Sequence, residues 1–545
     1  MAGGFNVPTE QGFTSQLKPG YTSTKNQTES LLGRSVALSS IIKPSYGPLG
    51  LKIMTINKLE RISVTGDCYK VFDQIEMSGP DTKIIVDALK MLFEEAGDAS
   101  KFLLLLSAEL IQSMNDLIRQ GITKNEILST FRIIVSQIPK MMNDLSIKKI
   151  ENFMDKNTIL TLVKSVIAPK LITHVDVISD LTYKACLASI YPSEDKSTPK
   201  EFPADSIRVC KIEGGSLQQS FFVPGLVMDG KPEVAVFTCG FDYNTTEASA
   251  TVLFTSAKQL GDFSKGEQKY LEELVKGIAD KGVKICVTSG KSSDMMLHYA
   301  NKYGIMVLKV NSKWMIRRIC AAFGAKPLVT MQVPNEESLG RIDSAEYFEE
   351  NEQDFVTIKR ENSSLSTIVL YGSTEELLSM AETAIGSGVN LLKTLIRDGR
   401  VVAGGGAFEA SLAKLIRDKG NKEFNGRIKS YIYDGFASAL ERIPKTLIEN
   451  MGTPNPGEIF AKLLSNHGEG KNKSGVYADL DGDVELVDDI TKFGILDSVY
   501  AKLWAIKYAC AAVDNLSRVD VIIMAKSSDF KPKQGGDWDQ MENDI

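Results

Sequence analysis

The sequence predicts an α plus α/β multidomain protein in which one helical domain is discontinuous. Hydrophobic periodicity is mainly helical over residues 1–150 and helical again over residues 404–526. The region between them alternates short β-branched runs with amphipathic helices. At 545 residues, the chain has material for three or four domains of about 150 residues each. Two helical ends around an inserted α/β segment therefore predict a domain built from both ends of the chain.

The N-terminal helical region is interrupted by a strand pair and by three turns rich in glycine and aspartate. The strands cover Ile53–Ile56 and Ile62–Thr65, and the turns are Tyr46-Gly47-Pro48-Leu49-Gly50, Gly66-Asp67 and Gly97-Asp98-Ala99-Ser100. The last turn separates a helix that ends near Glu95 from the apolar run Phe102–Leu110. A helix start that offers a carboxylate and free N–H groups suits Mg²⁺ and phosphate oxygens.

The middle region alternates predicted strands with amphipathic helices. The predicted strands are Glu233–Cys239, Val283–Val287 and Met306–Val310, and polar loops are predicted at Pro192–Ser206, Asp343–Gln353 and Lys471–Asp489. A helix over Ser312–Phe323 has apolar residues at helical spacing on one face, namely Ile316, Ile319, Cys320 and Phe323. We expect this face to be buried and the face with Lys313, Arg317 and Ala321 to be free.

The C-terminal helical region opens on three consecutive glycines, Gly404-Gly405-Gly406, which follow Arg397-Asp398. Glycines leave backbone N–H groups unshielded, and the helix that follows adds the positive end of its dipole. The segment can therefore cradle a nucleotide, although a glycine turn before a helix is more often only structural. The sequence has no GxxxxGK[ST] pattern, which excludes a P-loop protein.

Composition narrows the function classes. A formal net charge of −6 argues against a nucleic-acid-binding protein, which usually presents a basic face. The seven cysteines form no CxxC pair and only three histidines accompany them, so we expect reduced thiols and no zinc site. The first 25 residues hold no apolar signal region, and no apolar run approaches the ~18 residues of a membrane span. We expect a cytoplasmic protein without nucleic-acid or membrane partners.

Further ordered matches extend the pattern of these four turns over nearly the whole chain. They include Asp205–Ile212, Phe263–Glu267, Leu297–Tyr303, Ser312–Trp314, Ile522–Lys526 and Gly536–Gln540. Together with the turns, they resemble the group II chaperonin family. The resemblance implies an equatorial domain (1–150 and 404–526), an intermediate domain (151–216 and 372–403) and an apical domain (217–371). Residues 527–545 are rich in Lys, Gly, Asp and Gln and poor in apolar residues, which predicts a disordered tail.

The resemblance implies how the chain works. A group II chaperonin subunit binds ATP with Mg²⁺ and acts in a double ring that encloses and folds other proteins. Seven paralogous subunits and unfolded clients such as cytoskeletal proteins are the implied partners. A built-in lid would be formed by an apical protrusion over Phe254–Leu274, where Gly261, Ser264 and Gly266 are expected to break helical runs.

The resemblance also implies the roles of individual residues. Asp67 and Asp398 would position and polarise the attacking water, and Asp98 would hold Mg²⁺. The implied nucleotide-binding residues are Tyr46, Gly47, Pro48, Asp67, Gly97, Asp98, Ala99, Ser100, Lys101, Gly405, Gly406 and Asp497. The residues that would border the groove for unfolded chains are Lys313, Arg317 and Ala321.

The chain departs from the family pattern at the phosphate site. The family turn Asn-Asp-Gly/Ala-Ala-Thr is Gly66-Asp67-Cys68-Tyr69-Lys70 here, and Gly-Asp-Gly-Thr is Gly97-Asp98-Ala99-Ser100. A Cβ at residue 99 crowds the phosphate approach if the position requires a positive φ. Lys70 and Lys101 either contact phosphate or replace the metal by pairing with Asp67 or Asp98.

These departures predict that ATP hydrolysis by this subunit itself is weakened, although nucleotide is still bound. Two alternatives stay open at this point. One is a nucleotide-independent scaffold subunit of the same ring, and the other is a free-standing metabolic kinase, which would need a substrate pocket and no large assembly.

Overall fold

A computed structural model describes residues 21–525 of the chain, with gaps. The gaps are 25–27, 57–59, 61, 76–79, 151, 172, 191–205, 230–236, 242–256, 291, 311, 336–337, 341–343, 351–352, 360–365, 479–483 and 520–521. The predicted tail (527–545) and the predicted loop up to residue 205 lie outside the described residues.

The N-terminal part of the chain is mainly helical. Its helices are α1 (Thr28–Ile42), α2 (Cys68–Gln74), α3 (Pro80–Ala96), α4 (Ser100–Arg119) and α5 (Lys124–Leu145), and its strands are β1 (Tyr21–Thr24), β2 (Ile53–Ile56), β3 (Ile62–Thr65) and β4 (Lys148–Lys149). Strands β2 and β3 pair antiparallel, with Ile53 opposite Thr65. The predicted strand pair and the predicted break between α3 and α4 are confirmed.

The middle part alternates helices with short strands. Its helices are α6 (Lys156–Ile167), α7 (Val175–Ile190), α8 (Ala257–Asp280), α9 (Asp294–Lys302) and α10 (Lys313–Phe323), and its strands are β5 (Ile207–Glu213), β6 (Phe221–Val223), β7 (Gly225–Asp229), β8 (Ile285–Thr288), β9 (Met306–Lys309), β10 (Ser344–Glu350), β11 (Gln353–Lys359) and β12 (Ser366–Gly372). Strands β8 and β9 pair in parallel, which confirms two of the predicted strands. Of the third, residues 237–239 are described, and Phe237 forms a single parallel bridge with Leu328.

The C-terminal part is helical again. Its helices are α11 (Glu375–Arg397), α12 (Ala407–Phe424), α13 (Ile428–Asn450), α14 (Pro456–Gly468) and α15 (Val499–Ser517), and its strands are β13 (Arg400–Ala403), β14 (Gly475–Ala478), β15 (Val484–Val487), β16 (Leu496–Ser498) and β17 (Ile522–Ala525). Strand β17 pairs antiparallel with β1, so the two ends of the described chain meet in one sheet. The fold is mostly helical with several small sheets, as the sequence predicts.

One large hydrophobic core is built from both ends of the chain. It joins buried side chains between Leu38 and Met142 to others between Val402 and Leu516. Its centre lies where α13 and α15 pack on α4. A second core joins α6 and α7 to α11 and β12, and two smaller clusters surround β8 and β9. Within the described ranges, every helix is too short or too polar to span a bilayer.

Helix α8 corrects the prediction of broken helical runs at Gly261, Ser264 and Gly266. The helix runs without interruption from residue 257 to 280 and includes all three residues, while 254–256 lie outside the described residues. A glycine inside a helix costs only about 1 kcal/mol relative to alanine. Burial of an apolar stripe on the same helix, formed by Leu271, Val275 and Ile278, outweighs that cost.

Two of the predicted polar loops are hairpins. Residues 344–350 pair with 353–359, and residues 475–478 pair with 484–487. Charge and polarity were the basis of the loop predictions, but a strand with one solvated face accommodates charged side chains. Cross-strand pairing therefore overrides local composition in both segments.

Candidate nucleotide site

The first turn of the site, residues 43–50, is tied to helix α13. Asn450 donates from Nδ2 to the carbonyl oxygens of Lys43 and Tyr46 at 2.7 and 2.8 Å. Gly47, which precedes Pro48 in this turn, has a φ of 104°. A Cβ on Gly47 would lie 2.8 Å from Leu447 Cδ1. The turn needs glycine here because it combines a left-handed backbone with close packing.

The glycine turn before α12 meets the first turn across the same leucine. Gly405 and Gly406 have φ values of 62° and 83°, and a Cβ on Gly406 would lie 3.9 Å from Leu447 Cδ2. A Cβ on Gly405 would lie 2.8 Å from the Val476 carbonyl oxygen, and one on Gly406 2.8 Å from Pro444 Cβ. Packing within the protein thus requires these glycines, and α12 begins directly after them with its free N–H groups.

Lys502 on α15 holds two carboxylates beside the glycine turn. Its Nζ lies 2.6 Å from Glu409 Oε1 and 3.1 Å from Asp497 Oδ2. Asp497 Oδ1 lies 3.5 Å from the position of a Cβ on Gly404. The side chains of Lys502 and Glu409 are 10% and 2% exposed, whereas that of Asp497 is 34% exposed. Asp497 is therefore the member of this charge cluster that a ligand can reach.

The charge cluster of Lys502, Glu409 and Asp497 acts electrostatically on Tyr46, which belongs to the first turn. Burial raises the pKa of Tyr46 far above its ordinary value; the charge of Lys502 opposes this rise, and Glu409 and Asp497 add to it. Burial alone would lower the pKa of Lys502, but Asp497 and Glu409 raise it well above the ordinary value. At neutral pH the site therefore has a neutral tyrosine and a charged lysine.

Glu409 and Lys502 are functional-site residues that sequence reasoning missed. Glu409 lies in the first turn of the helix that follows the glycines, and Lys502 is a lone cation on the buried face of α15, between Val499 and Ala505. A lysine in a buried helix face requires a partner, and that was the available signal. The sequence could not show which carboxylates supply it.

Asp67 begins helix α2 and has one oxygen free. Its Oδ1 accepts a hydrogen bond from the Tyr69 backbone N–H at 3.3 Å. Its Oδ2 is buried and has no hydrogen-bond partner among the described residues. A buried carboxylate oxygen without a partner is costly and points to a ligand or water. Tyr69 itself stacks on Phe93 with ring centroids 4.1 Å apart, which packs α2 on α3.

The turn between α3 and α4 places Ala99 in the left-handed region. Ala99 has φ 63° and ψ 15°, and it directly precedes Ser100, the buried first residue of α4. A Cβ in this conformation costs roughly 1–2 kcal/mol. Residue 99 therefore has the positive φ at which we expect a Cβ to crowd the phosphate approach. Gly97 has φ 68°, and a Cβ there would lie 2.2 Å from Asn390 Cβ.

One of the two predicted roles of Lys70 and Lys101, replacement of the metal by pairing with Asp67 or Asp98, is wrong. Lys101 Nζ donates to the Ser45 carbonyl oxygen at 2.6 Å, and Lys70 Nζ donates to the carbonyl and hydroxyl oxygens of Ser379 at 3.4 Å. In the described part of the chain, neither lysine forms an ion pair with Asp67 or Asp98.

The lysine that pairs with Asp98 is Lys170, which the sequence reading did not identify. Its Nζ lies 3.5 Å from Asp98 Oδ1 and also donates to the Ser387 hydroxyl. Lys170 follows α6, 72 positions along the chain from Asp98, so spacing carried no signal for this contact. The side chain of Asp98 is 38% exposed and can still reach a ligand.

Asp398 ends helix α11 and is held by Arg400. Two guanidinium nitrogens of Arg400, Nε and Nη2, donate to the two carboxylate oxygens at 2.8 and 2.6 Å. These hydrogen bonds lower the pKa of Asp398 against the effect of burial. Asp398 is therefore ionised, but both of its oxygens are already engaged by a neighbouring cation.

The residues fit a magnesium ion that is completed by phosphate oxygens. Mg²⁺ is commonly held by one or two carboxylates, with water and substrate phosphates as the other ligands. Asp98 offers a half-exposed carboxylate, and Asp67 offers a buried oxygen that no described residue hydrogen-bonds. Among the described residues there is no cluster of three or more metal-ligating side chains.

Helix α10 presents an exposed face that is more aromatic than predicted. Ile316, Ile319 and Phe323 are buried, as expected. Lys313 and Arg317 are exposed, and Trp314 between them is 71% exposed. The side chain of Ala321 is not among those described. An exposed tryptophan beside two cations can contact both apolar and acidic segments of another chain.

The sequence profile of the TCP-1/cpn60 chaperonin family matches residues 38–527, and the chain belongs to this family. Within it, the chain is similar to T-complex protein 1 subunit theta. It is 36% identical to that protein of Bos taurus and of Homo sapiens over 556 residues, covering 99% of this chain and 100% of theirs. It is 35% identical to that of Arabidopsis thaliana over 534 residues, covering 94% and 95%. The family resemblance carried by the turns and motifs is confirmed.

Proposed function

We propose that this chain is one subunit of an ATP-driven, hetero-oligomeric double-ring chaperonin that encloses and folds unfolded proteins. The observation that carries the proposal is the meeting of two distant glycine turns on Leu447, next to the reachable carboxylate of Asp497. Membership of the chaperonin family and full-length similarity to a protein named as a subunit support the assembly. The proposed location is the cytoplasm, and clients such as cytoskeletal proteins are proposed by family resemblance.

The three-domain division is part of the proposal. The core built from both chain ends supports an equatorial domain from 1–150 and 404–526. The core of α6, α7, α11 and β12 supports an intermediate domain from 151–216 and 372–403. The clusters around β8 and β9 support an apical domain from 217–371, with the protrusion over 254–274 that includes part of α8.

Each part of the nucleotide would have its own residues. Gly47 and Pro48 would line the phosphates, Gly405 and Gly406 the ribose, and Asp497 would accept hydrogen bonds from the sugar hydroxyls. Asp98 would hold Mg²⁺, which neutralises phosphate charge and orients the phosphoryl group when bound. The free Asp67 Oδ2 would orient the attacking water, and Asp398 would polarise it. Tyr46, Gly97, Ser100 and Lys101 complete the pocket on the side of the first turn.

We infer that hydrolysis by this subunit is weakened. Ala99 brings a Cβ into a left-handed turn at the phosphate approach. Lys170 competes with a metal for Asp98, and Arg400 occupies both oxygens of Asp398. Each feature reduces the electrostatic preorganisation that hydrolysis requires. The Lys170–Asp98 pair also favours the alternative of a nucleotide-independent structural subunit, so the two functions have to be separated by nucleotide occupancy.

The β2–β3 hairpin supports assembly with related subunits. Met54, Ile56 and Ile62 on this two-stranded sheet are 64%, 64% and 56% exposed. An apolar hairpin whose strands pair with no other described strand is suited to extend the sheet of a neighbour. We propose that it lies in a contact between adjacent subunits of the ring.

Purification of the tagged full-length chain from its source tests this function. We expect a ring-sized particle with seven further related chains, and density or label for nucleotide at this subunit when Mg-ATP is supplied. A particle of single-chain size would contradict ring membership and favour the kinase. A ring in which this subunit never holds nucleotide would favour the structural alternative.

A further inference from the structure

Two lysines, Lys52 and Lys101, converge on Gly66, directly before Asp67. A Cβ on Gly66 would lie 3.4 Å from Lys52 Nζ and 3.9 Å from Lys101 Nζ. Lys52 Nζ also donates to the Lys170 carbonyl oxygen at 3.1 Å, which brings this ammonium group to the segment that carries the third lysine. We call Lys52, Lys101 and Lys170 the lysine cluster.

Among the described residues, two of the three ammonium groups have only neutral hydrogen-bond partners. Lys52 donates to the Lys170 carbonyl and Lys101 to the Ser45 carbonyl. Throughout the described part of the chain, no carboxylate lies within ion-pair distance of either one; only Lys170 has a carboxylate partner, Asp98. All three side chains are at least partly buried. Like charges held close together away from bulk water repel one another unless an anion lies between them.

We propose that Lys52 and Lys101 bind the phosphate oxygens of the nucleotide directly, so that nucleotide binding by this subunit does not require the Mg²⁺ that Asp98 would hold. The proposal rests on the proposed nucleotide site and specifies how that site neutralises charge. Lysine ammonium groups are established phosphate ligands that act as point charges. Two of them at Gly66 supply the positive charge that Mg²⁺ otherwise brings, and Lys170 is then free to remain on Asp98.

A structural role for the same lysines makes a different prediction. If Lys52 and Lys101 only brace the carbonyls of residues 170 and 45, nucleotide binding still requires Mg²⁺ and is insensitive to their charge. Binding in the presence of a chelator therefore separates the two roles, and no measurement of turnover is needed.

The experiment is photolabelling of the natively purified assembly with 8-azido-ATP, in excess Mg²⁺ and in excess EDTA, with the label quantified on each chain by mass spectrometry. We expect labelling of this chain to fall less than twofold in EDTA while its partners lose at least tenfold. In Lys52→Gln and Lys101→Gln, EDTA-resistant labelling should fall at least tenfold, whereas Lys101→Arg should retain it. Lys462→Gln, on the exposed face of α14, is the matched control.

Each other outcome overturns a defined part of the argument. Labelling of this chain in Mg²⁺ that disappears in EDTA overturns the inference and leaves the proposed nucleotide site standing. No labelling in either condition overturns both. If a glutamine variant fails to assemble, the wild-type comparison between Mg²⁺ and EDTA still decides the inference.

Discussion

Replacement of Lys502 by methionine removes the cation that holds Glu409 and Asp497 together. Methionine keeps most of the volume of the lysine stem, so the change isolates the charge. Both carboxylates would then face each other beside Tyr46 without a counter-ion. We expect Lys502→Met to destabilise the core in which α15 packs.

The two ion-pair distances of Lys502 set the size of the expected loss of stability. At an effective dielectric constant of 20, unit charges 2.6 and 3.1 Å apart attract by roughly 5–6 kcal/mol each. Desolvation of the three groups offsets several kcal/mol of this attraction, and breaking a buried pair typically costs about 3–5 kcal/mol. Because the pKa of Lys502 is raised, its contribution is fully present below its ordinary pKa of 10.5 and is lost as pH rises through the folded-state value.

Urea unfolding of the full-length chain at pH 7, followed by far-ultraviolet circular dichroism, measures the loss. We expect about 3–5 kcal/mol for Lys502→Met. The control is Lys507→Met on the same helix, whose ammonium group lies over the Trp504 ring and should contribute only about 0.5–1 kcal/mol. Equal losses in the two variants would refute the reasoning. The double variant Glu409→Gln/Lys502→Met should lose less than the sum of its single changes, because the carboxylate and ammonium contribute jointly.

Four further changes test other features. Ala99→Gly should relieve about 1 kcal/mol of left-handed strain and raise occupancy of a trapped nucleotide analogue at this subunit, and unchanged occupancy would contradict crowding at the turn. Asp398→Ala should change ATP turnover of the ring only slightly. If the wild type binds the trapped nucleotide analogue strongly at this subunit and the variant does not, Asp398 is a working catalytic carboxylate. Ile56→Asp should exclude the chain from the ring in size-exclusion chromatography while its unfolding midpoint stays constant; normal incorporation would place the contact elsewhere. Burial and then the charge of Lys170 lower the pKa of Lys101 from 10.5 to about 8, so the folded chain binds fewer protons between these values. The stability of wild type relative to Lys101→Gln should therefore rise across this pH window, by at most about 3 kcal/mol, and a flat difference would exclude the effect.

Local sequence signals were sufficient where residues close in sequence determine the structure. The strand pair at 53–65, the helix after Gly406 and the buried stripe of α10 depend on periodicity and on glycine turns, and each was predicted. The hairpin over 344–359 and the unbroken α8 were not, because cross-strand pairing and burial against distant residues outweigh local propensity.

The candidate site shows the same division. Asp67, Asp98 and the glycine turns stand beside recognisable turn residues, so their types and order were informative. Lys170 lies 72 positions from Asp98, and Lys502 lies 93 positions from Glu409. Contacts between residues so far apart in sequence depend on how α6 and α15 pack, and this packing cannot be predicted from a single sequence. Sequence reasoning therefore found the loops of the site and missed the cations that set its charge.

The turn between α3 and α4 shows where packing requires glycine and where it does not. Gly97 and Ala99 both have positive φ, but a Cβ on Gly97 would lie 2.2 Å from Asn390, whereas the Cβ of Ala99 is accommodated. Glycine is thus required at residue 97, where α11 leaves no room for a Cβ, whereas at residue 99 the left-handed backbone costs alanine roughly 1–2 kcal/mol. A turn selected for close phosphate approach would require glycine at both positions. The turn therefore meets the packing requirement of α3, α4 and α11 more strictly than the requirement for close phosphate approach, which agrees with the proposal that hydrolysis by this subunit is weakened.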